Sequence, residues 1–236
     1  EKRWVAVVTG GTKGIGKSIC VNLAPHCSQI FINSRSVQDL QALAVELKLI
    51  NPILNVEFLK ADFENPNEVR AFGEFIIART NKIDVLVNNA GIFYPGNVKS
   101  EKEGNLRTMM QVNLFSAYDL TRMLLPALQR STCAHIFNMC SIASLIAYQN
   151  GGAYTITKFA LLGFNKCLRA ELMNDNIKVT AILPGATWSD SWSGAEYPEQ
   201  RLMQAEDIAA SVLYAAKLSP AANVEEILIR PLAGDL

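Results

Sequence analysis

The chain has 236 residues, of which 50% are hydrophobic and 19% are charged. This composition predicts one globular domain over residues 1–236 with a large core. Its 22 basic residues balance its 22 acidic residues, so neither nucleic acid nor a membrane surface is an expected partner. No apolar run reaches the ~18 residues of a membrane span, and no signal peptide is evident before the first strand. We therefore expect a cytoplasmic protein with reduced cysteines and predict no metal site.

The first strand, predicted near residues 4–9, leads into a glycine-rich turn. Its sequence, WVAVVT, is apolar in the manner of a buried strand. The segment GGTKGIG follows at residues 10–16, and an amphipathic helix is predicted near 14–25. A strand, a glycine turn and a helix form a phosphate-binding arrangement, because glycines let the backbone approach phosphates and the helix N-terminus supplies free N–H groups.

Two kinds of nucleotide site are compatible with this turn. The segment Thr9–Gly16 reads T-G-x-x-x-G-x-G and lacks the strict dinucleotide pattern G-x-G-x-x-G, while Gly11–Ser18 fits the P-loop pattern of nucleotide triphosphatases. The strand predicted near 84–88 favours a dinucleotide site over a P-loop, because it ends in Asn88 and Asn89. A P-loop enzyme needs an acidic residue at such a strand end to hold magnesium.

The rest of the chain alternates between short apolar runs and longer amphipathic runs. Further strands are predicted near 29–33, 54–60, 84–88, 134–140, 177–183 and 225–230, and further helices near 36–50, 66–80, 103–130, 152–175 and 205–218. This alternation predicts an α/β fold of Rossmann type, a doubly wound parallel sheet of seven strands with helices on both faces. Ligands of such folds gather at the carboxyl ends of the strands.

Ser141, Tyr154 and Lys158 form a second candidate motif. Tyr154 and Lys158 are four residues apart, so on a helix they share one face. A tyrosine hydroxyl with a pKa of about 10 is a poor acid–base at neutral pH, and a neighbouring ammonium would lower that pKa. Ser141 follows the strand near 134–140, where its hydroxyl could polarise a substrate carbonyl.

Together these motifs resemble the short-chain dehydrogenase/reductase family, in its compact single-domain branch. The resemblance extends over essentially the whole length, in the family's order and at its spacings. The matching residues are T-G-G-T-K-G-I-G (Thr9–Gly16), N-N-A-G (Asn88–Gly91), Asn113, Ser141, Tyr154, Lys158 and Pro184-Gly185. Within the family, the nearest resemblance is to 3-oxoacyl-carrier-protein reductases and sepiapterin-reductase-like enzymes.

The resemblance implies a hydride-transferring oxidoreductase with catalytic residues Asn113, Ser141, Tyr154 and Lys158. Tyr154 is expected to give its proton to the substrate carbonyl oxygen in reduction and to act as the base in oxidation. Lys158 would lower the pKa of Tyr154 and hydrogen-bond the nicotinamide ribose, while Ser141 would orient the substrate oxygen. Asn113 would hold a water that links Lys158 to a proton relay. As a purely structural alternative, Ser141 could cap a turn, with Ser144 as a nearby competitor for the catalytic role.

The end of the second strand favours NADP(H) over NAD(H). An NAD site places an acidic residue there for the ribose 2′-hydroxyl, whereas an NADP site places an arginine nearby for the extra phosphate. The chain has Ser34 and Arg35 there, with Asp39 already inside the next helix. Asp62 matches the family position that contacts the adenine amine, although it could instead cap the following helix. The expected cofactor-binding residues are Gly10, Thr12, Lys13, Gly14, Ile15, Gly16, Ser34, Arg35, Asp62, Phe63, Asn89, Ala90, Gly91, Tyr154, Lys158, Pro184, Gly185 and Thr187.

The segment after the sixth strand is expected to cover the substrate. By the resemblance, Pro184-Gly185 would wall the nicotinamide, and Thr187 would meet its carboxamide, one residue earlier than is usual in the family. The lid, near 186–204, is short. Its aromatic residues, which could stack on a flat substrate or anchor the loop, are Trp188, Trp192 and Tyr197. The apolar residues expected on the opposite side, which favour an apolar substrate, are Met139, Ile142 and Leu145.

We therefore expect an NADP(H)-dependent enzyme that interconverts a carbonyl and a secondary alcohol, with 3-oxoacyl and pterin-like compounds as candidate substrates. The family implies a homotetramer or homodimer built on the helices near 103–130 and 152–175 and on the last strand. The small apolar stretch Ala160–Gly163 could pack against a partner or against the protein's own sheet. Two other functions stay open. One is a cofactor-binding sensor or scaffold without turnover, and the other is a nucleotide-sugar epimerase or dehydratase, whose chains are typically longer.

Overall fold

Seven parallel strands form one sheet in the computed structural model, which describes residues 3–188 and 201–234. The strands are β1 (Trp4–Val8), β2 (Cys27–Ser34), β3 (Asn55–Lys60), β4 (Val85–Asn88), β5 (Ala134–Met139), β6 (Ile177–Pro184) and β7 (Glu226–Ile229). Their order across the sheet is β3-β2-β1-β4-β5-β6-β7. Strands β2 and β3 therefore extend the sheet from β1 toward one edge, and β4 to β7 extend it toward the other edge. The carboxyl ends of β1 and β4 border the crevice where ligands of such sheets bind.

Helices connect successive strands, as the alternating sequence pattern predicts. They are α1 (Gly14–Leu23), α2 (Val37–Ile50), α3 (Pro66–Ile77), α4 (Asn105–Met110), α5 (Ser116–Leu128), α6 (Gly152–Leu172) and α7 (Ala205–Lys217). Local signals fix several starts: Ser36 caps α2 by accepting from the Asp39 N–H at 3.2 Å, and Asn65 caps α3 just before Pro66. No helix in the described ranges is long and apolar enough to cross a membrane.

The two faces of the sheet carry separate hydrophobic cores. Ala6 and Val8 of β1 face α1, α2 and α7, whereas Val5 and Val7 face α3, α5 and α6. This alternation follows from the two-residue period of a strand, and both sets are apolar because helices cover both faces. The predicted Rossmann-type fold class is confirmed.

One predicted helix differs from the structure. The helix expected near 103–130 is divided into α4 and α5 by a single π-helical turn over Gln111–Phe115. Within this turn the Ser116 N–H donates to the Gln111 carbonyl, five residues back, and the turn contains Asn113. Such bulges occur frequently at functional sites.

Part of the small apolar stretch on α6 packs inward. Leu161 and Leu162 are buried in a core cluster with Ala181 and Leu183 of β6. For these two leucines, the alternative in which the stretch packs against the protein's own sheet is therefore confirmed. Gly163 is exposed, with no atom near the position of a Cβ.

Candidate active site

The glycine turn is fastened to the end of β4. The Asn89 side-chain amide donates to the carbonyls of Thr9 at 2.9 Å and of Gly10 at 3.1 Å. In return, the Thr9 hydroxyl accepts from the backbone N–H groups of Asn89 and Ala90, both at 2.9 Å. A Cβ at Gly16 would collide with the Gly10 carbonyl oxygen and the Asn89 amide, so this close approach requires glycine.

The P-loop alternative does not fit the surroundings of Lys17 and Ser18. The Lys17 ammonium forms an ion pair with Glu46 of α2 at 2.8 Å. The Ser18 hydroxyl is buried and donates to Glu206 of α7 at 3.3 Å. Both side chains are thus engaged by carboxylates of neighbouring helices, whereas a P-loop would direct them at phosphate and magnesium.

The end of β2 lies against the glycine turn. The Asn33 side chain accepts from the Gly10 N–H at 3.0 Å, and the Thr12 hydroxyl donates to the Ser34 hydroxyl at 2.8 Å. Arg35 is exposed, and its side chain makes no hydrogen bond or ion pair within the described residues. It is therefore available for a phosphate.

A cleft of about 190 Å³ separates the glycine turn from α2, and it contains charges of both signs. Lys13 of the turn and Lys17 of α1 line it on one side, and Asp39 and Glu46 of α2 line it on the other. Asp39 was expected inside the helix and does lie in the first turn of α2. Its position in the cleft nevertheless places a carboxylate close to the basic residues that favour NADP.

Asp62 and Phe63 follow β3. The Asp62 carboxylate accepts from the Glu64 N–H at 3.0 Å, and Asn65, not Asp62, caps α3. The alternative in which Asp62 caps that helix is therefore wrong. The Phe63 ring is buried against Phe72, so only its backbone could face a ligand.

Ser141 makes contacts that distinguish it from Ser144. It precedes a short 3₁₀ turn, Ile142–Ser144, and its hydroxyl oxygen accepts from the Ala143 N–H at 3.1 Å. The Ser144 hydroxyl accepts from the Ser141 N–H at 3.2 Å and is buried beneath the turn. The Ser141 side chain also lies close enough to the Tyr154 hydroxyl to lower the pKa of Tyr154 by hydrogen bonding. Ser141 thus both caps the turn and lies beside the Tyr154 hydroxyl, whereas Ser144 only stabilises the turn.

Lys158 lies one turn along α6 from Tyr154, as the spacing predicts. Its ammonium is 5.6 Å from the Tyr154 ring centroid and donates to the Met139 carbonyl at 2.7 Å. Burial lowers the pKa of Lys158 to about 8, and the neighbouring Cys140 thiol opposes this shift. At neutral pH the ammonium is still the main form, but it is close to titrating.

The pKa of Tyr154 differs from the sequence expectation. Burial raises it to about 12, while the hydrogen bond with Ser141 lowers it and Cys140 adds to the rise. The residue as a whole is partly buried, but its hydroxyl is enclosed by protein. The direction of the shift is therefore opposite to the predicted lowering, because burial of the hydroxyl is the largest influence on the pKa of Tyr154.

Asn113 links the loop after β4 to α6. Its side-chain oxygen accepts from the Ile92 N–H at 2.8 Å, and its amide donates to the Ile92 carbonyl and to the Thr157 hydroxyl, both at 3.0 Å. The Thr157 hydroxyl donates in turn to the Tyr154 carbonyl at 2.8 Å. A Cβ at Gly91 would lie 3.5 Å from the Asn113 side chain and 3.7 Å from the Lys158 ammonium, so both groups face the same exposed stretch of backbone.

The segment after β6 is only partly described. Thr187 is buried and donates to the Gly185 carbonyl at 3.0 Å, while Ala186 and Trp188 hydrogen-bond to Met203. Pro184 ends β6, where it pairs with Ile229. Trp192 and Tyr197 of the expected lid lie outside the described residues.

Two aromatic residues that the motifs do not include lie beside Tyr154. The Phe93 ring is edge-on to the Tyr154 ring, with centroids 5.0 Å apart. Tyr148 covers the backbone of Gly151, just before α6. One sequence signal could have identified Phe93, because it stands two residues after the N-N-A-G motif at a strand's carboxyl end.

Comparisons with known proteins match nearly the whole chain. The family model for the short chain dehydrogenase matches residues 4–199. Sepiapterin reductase from Chlorobaculum tepidum is 30% identical over 98% of each chain. The solved structure of an alcohol dehydrogenase from Thermococcus sibiricus, complexed with 5-hydroxy-NADP, has a TM-score of 0.89 at 27% identity, covering 98% of this chain and 97% of that one. A metagenomic short-chain oxidoreductase in complex with NADP has a TM-score of 0.83 at 28% identity, covering 97% and 96%.

Proposed function

Because the chain belongs to the short-chain dehydrogenase family of oxidoreductases, we propose that it uses NADP(H) to interconvert a carbonyl and a secondary alcohol, with Tyr154 as the acid–base. One observation carries the proposal. The Tyr154 hydroxyl meets Ser141, with Lys158 one helical turn away and the exposed backbone of Gly91 beside them. The NADP complexes of similar structures support the choice of cofactor.

The residues around the crevice fit a phosphorylated dinucleotide. The glycine turn opens onto the N-terminus of α1, where Gly14 has a φ of +48° and the helix offers free N–H groups for a pyrophosphate. Arg35 and Lys13 would hold the 2′-phosphate, and the loop Asn89–Gly91 would support the nicotinamide half. When bound, the nicotinamide supplies the hydride.

Three side chains would take part in proton transfer to the substrate oxygen. Ser141 would donate a hydrogen bond to the substrate oxygen and stabilise its developing negative charge. Tyr154 would transfer its proton to that oxygen in reduction. The positive charge of Lys158 favours the phenolate that remains.

The test is a titration of the purified protein with NADPH and NADH, followed by turnover of a panel of aldehydes, diketones, short 3-oxoacyl thioesters and a pterin ketone. The pterin ketone is included because the Chlorobaculum relative is a sepiapterin reductase. Tight NADPH binding with turnover of any member is the expected result. Tight binding without turnover across the panel would contradict the proposal and favour a sensor or scaffold. Turnover of nucleotide sugars alone would favour an epimerase or dehydratase.

We further propose a homodimer or homotetramer through α5 and α6. These helices expose large apolar side chains on their outer faces, namely Phe115 in the π turn, Tyr118, Ile156 and Phe159. A separate cavity of about 310 Å³ between α6 and β7 is lined by charged residues such as Arg169 and Glu225 and contains none of the candidate catalytic residues. The molar mass in sedimentation equilibrium tests this proposal, and a monomer at micromolar concentration would contradict it. A cytoplasmic location stays a prediction.

A further inference from the structure

Phe93 forms one side of an aromatic wall around the candidate acid. It follows the N-N-A-G motif on the loop after β4, and its ring meets the Tyr154 ring edge-on at an interplanar angle of 79°. Edge-on packing at this distance is favourable between aromatic rings. The side chain is nevertheless 42% exposed, so part of its ring surface is accessible to solvent.

Tyr148 forms the other side of the wall. A Cβ at Gly151 would lie 2.7–2.9 Å from three carbons of the Tyr148 ring, so only glycine lets the ring lie against this backbone. The residue is 44% exposed. Burial and the neighbouring Tyr154 phenol raise the pKa of Tyr148 to about 12, so its hydroxyl stays protonated at neutral pH.

The two loops that carry these rings are fastened to each other. The Asn97 side chain makes two hydrogen bonds with Asn150, donating to its side chain at 3.0 Å and accepting from its backbone N–H at 3.2 Å. Gly96 and Gly151 form a β-bridge beside this pair. The wall is therefore held in place by backbone and amide contacts, independently of any ligand.

The parts of these loops that carry the two rings are uncharged, although the first loop continues to Lys99, Glu101, Lys102 and Glu103. The segments 85–98 and 136–157 contain no Asp, Glu, Lys, Arg or His. Pockets with a few polar groups among aromatic and apolar side chains recognise uncharged, largely apolar molecules, and open aromatic faces favour flat rings.

We propose that Phe93 and Tyr148 form a stacking subsite for a flat aromatic ring carried next to the substrate carbonyl. This inference rests on the proposed function and adds the class of substrate. The ring would lie between the Phe93 and Tyr148 faces, while the carbonyl oxygen meets Ser141 and Tyr154. The subsite favours a ring close to the carbonyl, because both side chains adjoin the acid itself.

The test compares phenylacetone with cyclohexylacetone, two ketones of equal connectivity that differ in the flatness of the ring. The measured quantity is the ratio of their kcat/KM values with NADPH. We expect the wild-type protein to prefer phenylacetone. Phe93→Leu and Tyr148→Leu should each lower that preference by about three- to tenfold, whereas Tyr148→Phe should retain it.

Tyr214→Leu is the matched control, because Tyr214 is an exposed aromatic residue near the far end of α7 and should leave the ratio unchanged. The NADPH Kd of each variant shows whether the nucleotide site still folds. An unchanged ratio in both leucine variants with normal NADPH binding would overturn the subsite, as would wild-type turnover of other carbonyls but of neither ring ketone. No turnover of any carbonyl would overturn the proposed function, and the subsite with it.

Discussion

Arg35 and Asp39 carry opposite charges near the expected position of the 2′-phosphate. Arg35 is exposed after β2, and Asp39 lines the cleft next to Thr12 and Lys13. An arginine pairs with phosphate through charge-assisted hydrogen bonds, whereas a carboxylate repels it. The relative affinity for NADPH and NADH therefore depends on the balance between these two residues.

Replacing these two residues one at a time measures that balance. Arg35→Ala is expected to weaken NADPH binding by about tenfold or more with little change for NADH, because the lost hydrogen bonds are made only to the 2′-phosphate. Asp39→Asn is expected to tighten NADPH binding relative to NADH. The measurement is the Kd of each variant for both nucleotides by fluorescence titration. Equal weakening of both nucleotides by Arg35→Ala would mean that the 2′-phosphate is held elsewhere.

The spacing of single residues predicted where they lie but not how they titrate. Tyr154 and Lys158 do share one face of α6, because four residues are close to one helical turn. The pKa of Tyr154 could not be predicted in the same way, because it depends on burial of the hydroxyl in the folded chain and on Ser141 and Cys140, which follow a different element, β5. The orientation of Asp62 could not be predicted either, because its carboxylate accepts from the Glu64 N–H and does not cap α3.

At the scale of elements, the start of α6 depends on a residue from another loop. Gly151 precedes the helix and has no side chain to cap it. Glu101, on the loop before α4, instead accepts from the Ala153 N–H at 3.3 Å. A carboxylate at a helix N-terminus satisfies a free donor and interacts favourably with the helix dipole. Because Tyr154 lies in this first turn, Glu101 is expected to position the candidate acid.

Substitutions at Glu101 test this cap. Glu101→Ala is expected to destabilise the protein by about 1 kcal/mol and to lower kcat more than it raises the KM for NADPH. Glu101→Gln keeps an acceptor oxygen and should show a smaller loss of both stability and kcat. Glu103→Ala, an exposed change in the same loop, is the control. If Glu101→Ala behaved like Glu103→Ala in thermal melting and turnover, the cap would have no role in placing Tyr154.

The π turn between α4 and α5 could not be predicted from the sequence. The segment QVNLF contains no glycine or proline that would mark a break, and its periodicity continues that of the flanking helices. The turn is instead associated with tertiary contacts, because Asn113 bonds both to Ile92 and to Thr157 of α6. By contrast, apolar runs and local caps predicted the order and type of the other main elements.

At the scale of the whole molecule, His135 connects the stability of the sheet to pH. It is buried in β5, stacks on Phe137 and meets the Thr180 hydroxyl of β6 through Nε2 at 2.7 Å. Thr180 donates its own proton to the Val224 carbonyl, so Nε2 must be the protonated nitrogen. Nδ1 is buried without a partner among the described residues, and a proton there would be unsatisfied.

Acid is therefore expected to destabilise the fold through His135. Burial, together with the nearby Lys178 ammonium, lowers the pKa of His135 well below its ordinary value. The unfolded chain takes up a proton near pH 6.5 that the folded chain resists. The contribution of His135 to stability is thus complete above about pH 6.5 and falls as the pH decreases below it.

Chemical denaturation between pH 5 and pH 7.5 measures this loss. His135→Gln has an amide that can still donate to Thr180 and does not titrate, so its unfolding free energy should fall less steeply with acid than that of the wild type. His26→Gln removes the other histidine and separates its contribution to the slope from that of His135. If the unfolding free energies of the wild type and of His135→Gln fell with equal slopes as the pH decreased, other groups would be the cause of the loss of stability in acid.

The turnover of Tyr154→Phe with NADPH and the best carbonyl of the panel tests the central claim most directly. The substitution removes one hydroxyl and keeps the ring that packs against Phe93. We expect kcat to fall by about a hundredfold or more, with the NADPH Kd nearly unchanged, because the hydroxyl would act on the substrate and not on the phosphates. Turnover retained near the wild-type rate would contradict the assignment of Tyr154 as the acid–base.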